Sequence, residues 1–110
     1  MEQIEATRHS LSTIEDGTSF YLKGLKFVCV CKSHPESYDV FDENDNYVAD
    51  VHVRWGYVTC AIEPPSFNNI YSEDLAWGFA GEFKSGRQRI KHLNKIANEI
   101  LERLEDNNER

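Results

Sequence analysis

Residues 47–63 read Tyr47-Val48-Ala49-Asp50-Val51-His52-Val53-Arg54-Trp55-Gly56-Tyr57-Val58-Thr59-Cys60-Ala61-Ile62-Glu63, and the fold follows from how this run alternates. Before Trp55-Gly56, the apolar residues Ala49, Val51 and Val53 alternate with Asp50, His52 and Arg54. After it, Val58, Cys60 and Ile62 alternate with Tyr57, Thr59 and Ala61. A period of two marks a half-buried strand. A two-residue turn at Trp55-Gly56 pairs Val53 with Val58, Val51 with Cys60 and Ala49 with Ile62, so every pair falls on one apolar face. Slipping either strand by one residue destroys that match.

The pattern extends in both directions. A turn at Glu43-Asn44-Asp45-Asn46 places Val40 opposite Ala49 and Tyr38 opposite Val51, which makes an antiparallel meander of three strands. Residues 19–22 and 25–32 add two more around Lys23-Gly24. The second of these is apolar on both faces, which predicts a central strand covered on both sides. Pro64-Pro65 ends the meander, because neither proline donates to a ladder. Gly78 and Gly81 argue against a helix in the aromatic stretch 66–84, where an edge strand is expected within 76–83.

Two helices complete the prediction. Ser85 and Gln88 have capping-box spacing, and Ile90, Leu93, Ile96, Ala97, Ile100, Leu101 and Leu104 then recur as a wide apolar stripe. Residues 2–14, with Ile4, Leu11 and Ile14 on one face, read as a weaker helix. The expected fold is α+β: a four- to five-stranded antiparallel meander packed on one face by a C-terminal amphipathic helix, with a weaker N-terminal helix. Its expected division is one domain, 1–110, with a helical segment 1–16, a sheet 17–84, a helix 85–106 and a disordered tail 107–110.

Composition narrows the function classes. A chain of 110 residues with 40% hydrophobic and 28% charged residues is expected to fold as a globular domain. The acidic start lacks an apolar signal region, no stretch is apolar enough to span a bilayer, and three cysteines without scaffold spacing fit a reducing cytoplasm. A formal net charge of −7 argues against direct nucleic-acid binding and for a basic partner. No membrane association and no cofactor are expected.

Charge is distributed unevenly. Residues 1–83 carry 5 Lys/Arg against 14 Asp/Glu, residues 84–95 carry five cations and no acid, and residues 96–110 carry two cations against five acids. The five cations, Lys84, Arg87, Arg89, Lys91 and Lys95, open the last helix, where the macrodipole favours anions. The pairs Arg87/Lys91 and Lys91/Lys95 also repel at i,i+4. A local rule broken without local compensation points to function. The acids Glu36, Asp39, Asp42, Glu43, Asp45 and Asp50 surround the first hairpin of the meander. Two readings stand: two outward poles for a partner, or neutralisation of one group by the other.

The other constellations have plain structural readings. Asp42-Glu43-Asn44-Asp45-Asn46 opens like a calcium loop, but Tyr47 stands where glycine is needed and Val53 where glutamate is needed. Cys29 and Cys31, about 6.5–7 Å apart along a strand, are too far separated for one tetrahedral ion. Asp50, His52 and Arg54 share the polar sheet face without an activated nucleophile. Trp55, Tyr57, Trp77, Phe79 and Phe83 read as core first and as a stacking platform second.

The run Val51-His52-Val53-Arg54-Trp55-Gly56-Tyr57-Val58, followed by Trp77-Gly78-Phe79 and by Arg89-x3-Leu93-Asn94-x-Ile96-Ala97-x2-Ile100, resembles small accessory proteins encoded by phages and prophages. The likeness covers residues 25–101 and implies an accessory or counter-defence role, with no catalytic residue to carry over. Anti-CRISPR proteins of that kind present negative charge where nucleic acid would bind. The order helix, three strands, helix also resembles a double-stranded RNA-binding domain. Here Ile90, Leu93 and Ile96 stand where that family packs alanines.

The function expected is a non-enzymatic acidic interaction module that binds a protein by charge complementarity, the partner being basic and nucleic-acid-binding. Three alternatives are a nucleic-acid mimic that inhibits a nuclease, a small metal-dependent or hydrolytic enzyme, and an RNA-binding domain. A homodimer through an exposed sheet edge is compatible with residues 66–83.

Overall fold

The computed structural model describes residues 3–62, 69–76, 78 and 80–108, with side chains to Glu105. Six strands form one antiparallel sheet in sequence order: β1 Ser19–Leu22, β2 Leu25–Cys31, β3 Glu36–Phe41, β4 Tyr47–Arg54, β5 Tyr57–Ile62 and β6 Asn69–Asp74. Among the described residues one α-helix, α1 Gly86–Asn108, packs on the inner face in contact with β1, β5 and β6. No described helix is long and apolar enough to cross a membrane.

The registers are those that alternation dictates. Val53 faces Val58, Val51 faces Cys60 and Ala49 faces Ile62, while Val40 faces Ala49 and Tyr38 faces Val51. Two-residue turns set both tight hairpins. Lys23 and Gly24 have φ of +53° and +86°, and Trp55 and Gly56 have +56° and +80°, the left-handed pair that matches strand twist. The β3–β4 connection is closed by Asp42, whose carboxylate accepts from the Asn44 and Asn46 amides at 2.8 and 2.9 Å.

The inner face forms the core. The rings of Phe20 and Phe27 stack at 5.7 Å, and Tyr38 meets both edge-on. Val40, Ala49, Val51, Val53, Val58 and Cys60 continue this layer. Leu93, Ile96, Ala97 and Ile100 cover it from α1, fully buried as their spacing predicts.

Four expectations are corrected. The sheet has six strands rather than four or five, and the edge strand is Asn69–Asp74, upstream of 76–83. β2 is covered on one face only, since Val30 is 53% exposed; a β-bulge falls at this point, between Cys29 and Cys31. The N-terminal helix shrinks to a 3-10 turn, Ser10–Ser12. There the Thr7 and Ser10 side chains bond each other's backbone amides at 2.9 Å, and Ser12 Oγ donates to the His9 carbonyl. Such bonds compete with the helical ladder. Gln3 instead bridges Ser19 in parallel at the β1 edge. Finally, α1 runs to Asn108, into the segment expected to be a disordered tail. Pro64, Pro65, Phe67, Trp77 and Phe79 lie outside the described residues.

Where α1 begins, the chain is packed backbone to backbone. Ser85 Oγ accepts the Gln88 amide at 3.1 Å, and Gln88 Oε1 accepts the Lys84 amide at 2.7 Å. The helix opens on Gly86, where a Cβ would sit 2.1 Å from the Arg8 carbonyl oxygen and 2.8 Å from the Ser12 nitrogen. Alanine gains about 1 kcal/mol of helix propensity there, but both neighbours are backbone atoms, which cannot rotate aside as a side chain does. Gly86→Ala is therefore expected to destabilise by about 1–3 kcal/mol, read as a fall in urea midpoint. A midpoint that rises would show that segment 8–12 yields freely.

Candidate functional site

Two of the predicted contact residues are in the core. Glu36, the first residue of β3, is fully buried, and Arg89, in the first turns of α1, is 3% exposed. Arg89 Nε donates to Glu36 Oε2 at 2.8 Å and Nη2 donates to Oε1 at 3.1 Å, a bidentate pair. Each nitrogen of the guanidinium and each oxygen of the carboxylate has at least one partner. Glu36 accepts from the Tyr38 hydroxyl and from the Phe83 amide, and Arg89 Nη1 donates to the Leu11 carbonyl. Burial alone would lower the Arg89 pKa; the hydrogen bonds and charge of Glu36 outweigh it and raise it. Burial pushes the Tyr38 hydroxyl far up, and the Glu36 charge adds to that. Among the described residues no buried side-chain nitrogen or oxygen lacks a partner. Glu36 and Arg89 are thus structural, and their assignment to outward binding groups is corrected.

A second polar group joins β6 to α1. The Tyr71 hydroxyl donates to Glu73 Oε1 at 2.6 Å and lies 3.2 Å from His92 Nδ1. Lys95 Nζ donates to Glu73 Oε1 at 3.2 Å. His92, 3% exposed, stacks on Phe83 at 5.7 Å. Burial lowers its pKa, with the Glu73 charge pulling the other way. Lys95 is therefore occupied as well. Sequence reading missed Tyr71, Glu73 and His92, because no local pattern marks a tyrosine and a glutamate as partners of a histidine 21 residues away in the case of Tyr71.

The other hairpin acids separate into four sets. Asp42 is spent on its turn, its pKa lowered chiefly by the Asn46 amide. Asp45 pairs with Lys26 at 3.1 Å. Glu43 is exposed at the tip. Asp39 and Asp50 lie directly opposite each other on the outer sheet face. Burial raises the Asp39 pKa, the Asp50 charge adds to this and His52 opposes it. Thr59 faces His52 and Tyr57 faces Arg54, as predicted. His52 Nδ1 is 3.9 Å from Asp50 Oδ1, beyond hydrogen-bond range.

Of the basic group, Lys84, Arg87 and Lys91 are exposed. Arg87 shares a hollow of about 590 Å³ with Thr7, Arg8, His9 and Ser12. Among the described residues none of Lys84, Arg87, Lys91 or Arg8 has a carboxylate within ion-pair distance. Burial pushes the Cys29 and Cys60 thiols up to about 12, so both are apolar filling at neutral pH. Among the described residues no three or more His, Cys, Asp or Glu converge to hold a metal.

Comparison with protein families, curated proteins and solved structures found no match to this chain.

Two measurements check these assignments. Arg89→Met leaves the Glu36 carboxylate buried without its counter-charge and is expected to destabilise by about 3–5 kcal/mol. Glu36→Leu/Arg89→Met is expected to recover part of that loss; a double variant no better than the sum of the singles would refute the pairing. For His92, the pKa lies below its usual 6.5. The unfolded chain then binds more protons, so the stability held above pH 6.5 falls as pH drops through the folded value. His92→Gln should flatten this part of the stability–pH curve.

Proposed function

We propose that this chain is a non-enzymatic interaction module that binds a basic protein by charge complementarity. The observation that carries this reading is the segregation of unpaired charge. Lys84, Arg87 and Lys91 stand exposed on the helix layer with Arg8 nearby, and lack carboxylate partners among the described residues. Asp39 and Asp50 stand on the opposite face of the sheet, with no Lys or Arg paired to them among the described residues. Within a chain of net charge −7, this arrangement attracts a cationic partner to the sheet side and repels it from the helix start. Complementary fields of this kind set orientation and association rate.

The likeness to phage accessory proteins fits the same chemistry. A basic, nucleic-acid-binding protein offers the surface that such an acidic face would occupy, so nuclease inhibition is a special case of this reading. An enzymatic reading has less support, because Asp50 and His52 are not hydrogen-bonded and two of the three thiols are strongly protonated.

Affinity capture with the immobilised chain at low and high salt tests the function. The bound fraction should be enriched in basic proteins and released as salt screens the charges. Capture dominated by acidic proteins, or capture insensitive to salt, would overturn it.

A further inference from the structure

The outward stripe of α1 changes sign along its length. Arg87, Lys91, Lys95, Asn98, Glu102 and Glu105 are exposed, and their spacings of three and four residues put them on one side of the helix. Cations occupy the first half, glutamates the second, and Asn98 stands between them. Arg87 in the first turn and Glu105 towards the end of the helix both sit against the macrodipole. Among the described residues Arg87, Lys91, Glu102 and Glu105 form no ion pair, and Lys95 has the partly exposed pair with Glu73.

Such a stripe is complementary to itself when reversed. Lys91 and Glu105 each lie seven residues from Asn98, about 10.5 Å to either side of it along the axis. Lys95 and Glu102 lie about 4.5 and 6 Å to either side. A two-fold axis at Asn98 therefore sets Lys91 level with the second copy's Glu105, and Lys95 nearly level with the second copy's Glu102. Symmetry repeats both contacts, which makes four Lys–Glu pairs. Antiparallel alignment also brings the negative end of each macrodipole beside the positive end of the other.

We infer that two copies of this chain associate through α1, helix against antiparallel helix, about a two-fold axis at Asn98. The contact is isologous, so it closes at two copies. Because α1 lies on the inner face of its sheet, the two outer sheet faces point away from each other. Each copy carries −7, but at physiological salt the Debye length is about 8 Å. Repulsion between whole molecules is then damped, while pairs in contact persist. Solvent-exposed pairs each contribute little, so the association is weak and reversible. It does not depend on the function proposed above, and either can fail without the other.

Sedimentation velocity over a concentration series at about 0.15 M salt tests this, with thermal melting of each variant alongside. The wild type should pass from monomer to dimer as concentration rises. Lys91→Glu/Lys95→Glu makes the stripe acidic on both sides of Asn98, and Glu102→Lys/Glu105→Lys makes it basic on both sides. Each should self-associate at least about tenfold more weakly, while an equimolar mixture of the two should recover a heterodimer, since every pair is again Lys against Glu. Lys91→Glu and Glu105→Lys, which break no ion pair among the described residues, repeat the comparison singly should loss of the Lys95–Glu73 pair lower the melting temperature. Lys32→Glu, just after β2, controls for net charge and should leave dimerisation unchanged.

A wild type still monomeric at about 1 mM, a concentration that corresponds to about 4 kcal/mol of binding, overturns the inference and leaves the stripe to some other partner. A dimer that survives both double variants lies on another surface, such as the β6 edge, and also overturns it. So do a mixture that fails to pair and an assembly that grows beyond two copies.

Discussion

The buried pair of Glu36 and Arg89 is the constraint on which the arrangement of this protein depends. It joins the start of β3 to the first turns of α1, and through the Phe83 amide and the Leu11 carbonyl it also fixes the chain before the helix and the N-terminal segment. Desolvating two charges is expensive, so the pair itself adds little net stability. Its effect is on choice. Any rotation or sliding of α1 that parts the two groups leaves a charge in an apolar layer, and that cost excludes helix placements which the wide stripe of Leu and Ile would otherwise tolerate.

The same pair accounts for part of the charge reversal at the helix start. Five cations gather where the macrodipole disfavours them, but they do not act as one group. Arg89 turns inward to Glu36 and Lys95 reaches Glu73 on β6, so two of the five serve the attachment of the helix to the sheet. The basic cluster and the acidic hairpin are therefore neither two intact poles nor a fully neutralised set. What remains outward is a smaller basic patch, extended by Arg8 from a segment far away in sequence.

The two faces of the sheet follow different logic. On the inner face the cross-strand pairs are apolar except where Glu36 and Glu73 meet α1, and among the described residues no buried side-chain nitrogen or oxygen lacks a partner. The outer face tolerates opposed carboxylates and a tryptophan in a left-handed turn, and both reduce stability.

The sequence by itself determined the meander registers, the two tight turns and the helix 86–105, because each depends on periodicity and turn chemistry carried by neighbouring residues. Val51 opposite Cys60 is legible because a one-residue slip would turn valines outward. Tertiary structure alone decided the partnership of Glu36 with Arg89, the clasp of Tyr71 and Glu73 on His92, and the place of β6 at the sheet edge. An acid at 36 and an arginine at 89 look like surface charges when read locally. They become core only when a strand and a helix 53 residues apart converge, since low dielectric, not sequence neighbourhood, makes each require the other. The N-terminal segment differed for a related reason: its thin apolar stripe could not outweigh Thr and Ser side chains bonding the backbone, and the start of α1, packed at Gly86, fixed where that segment lies.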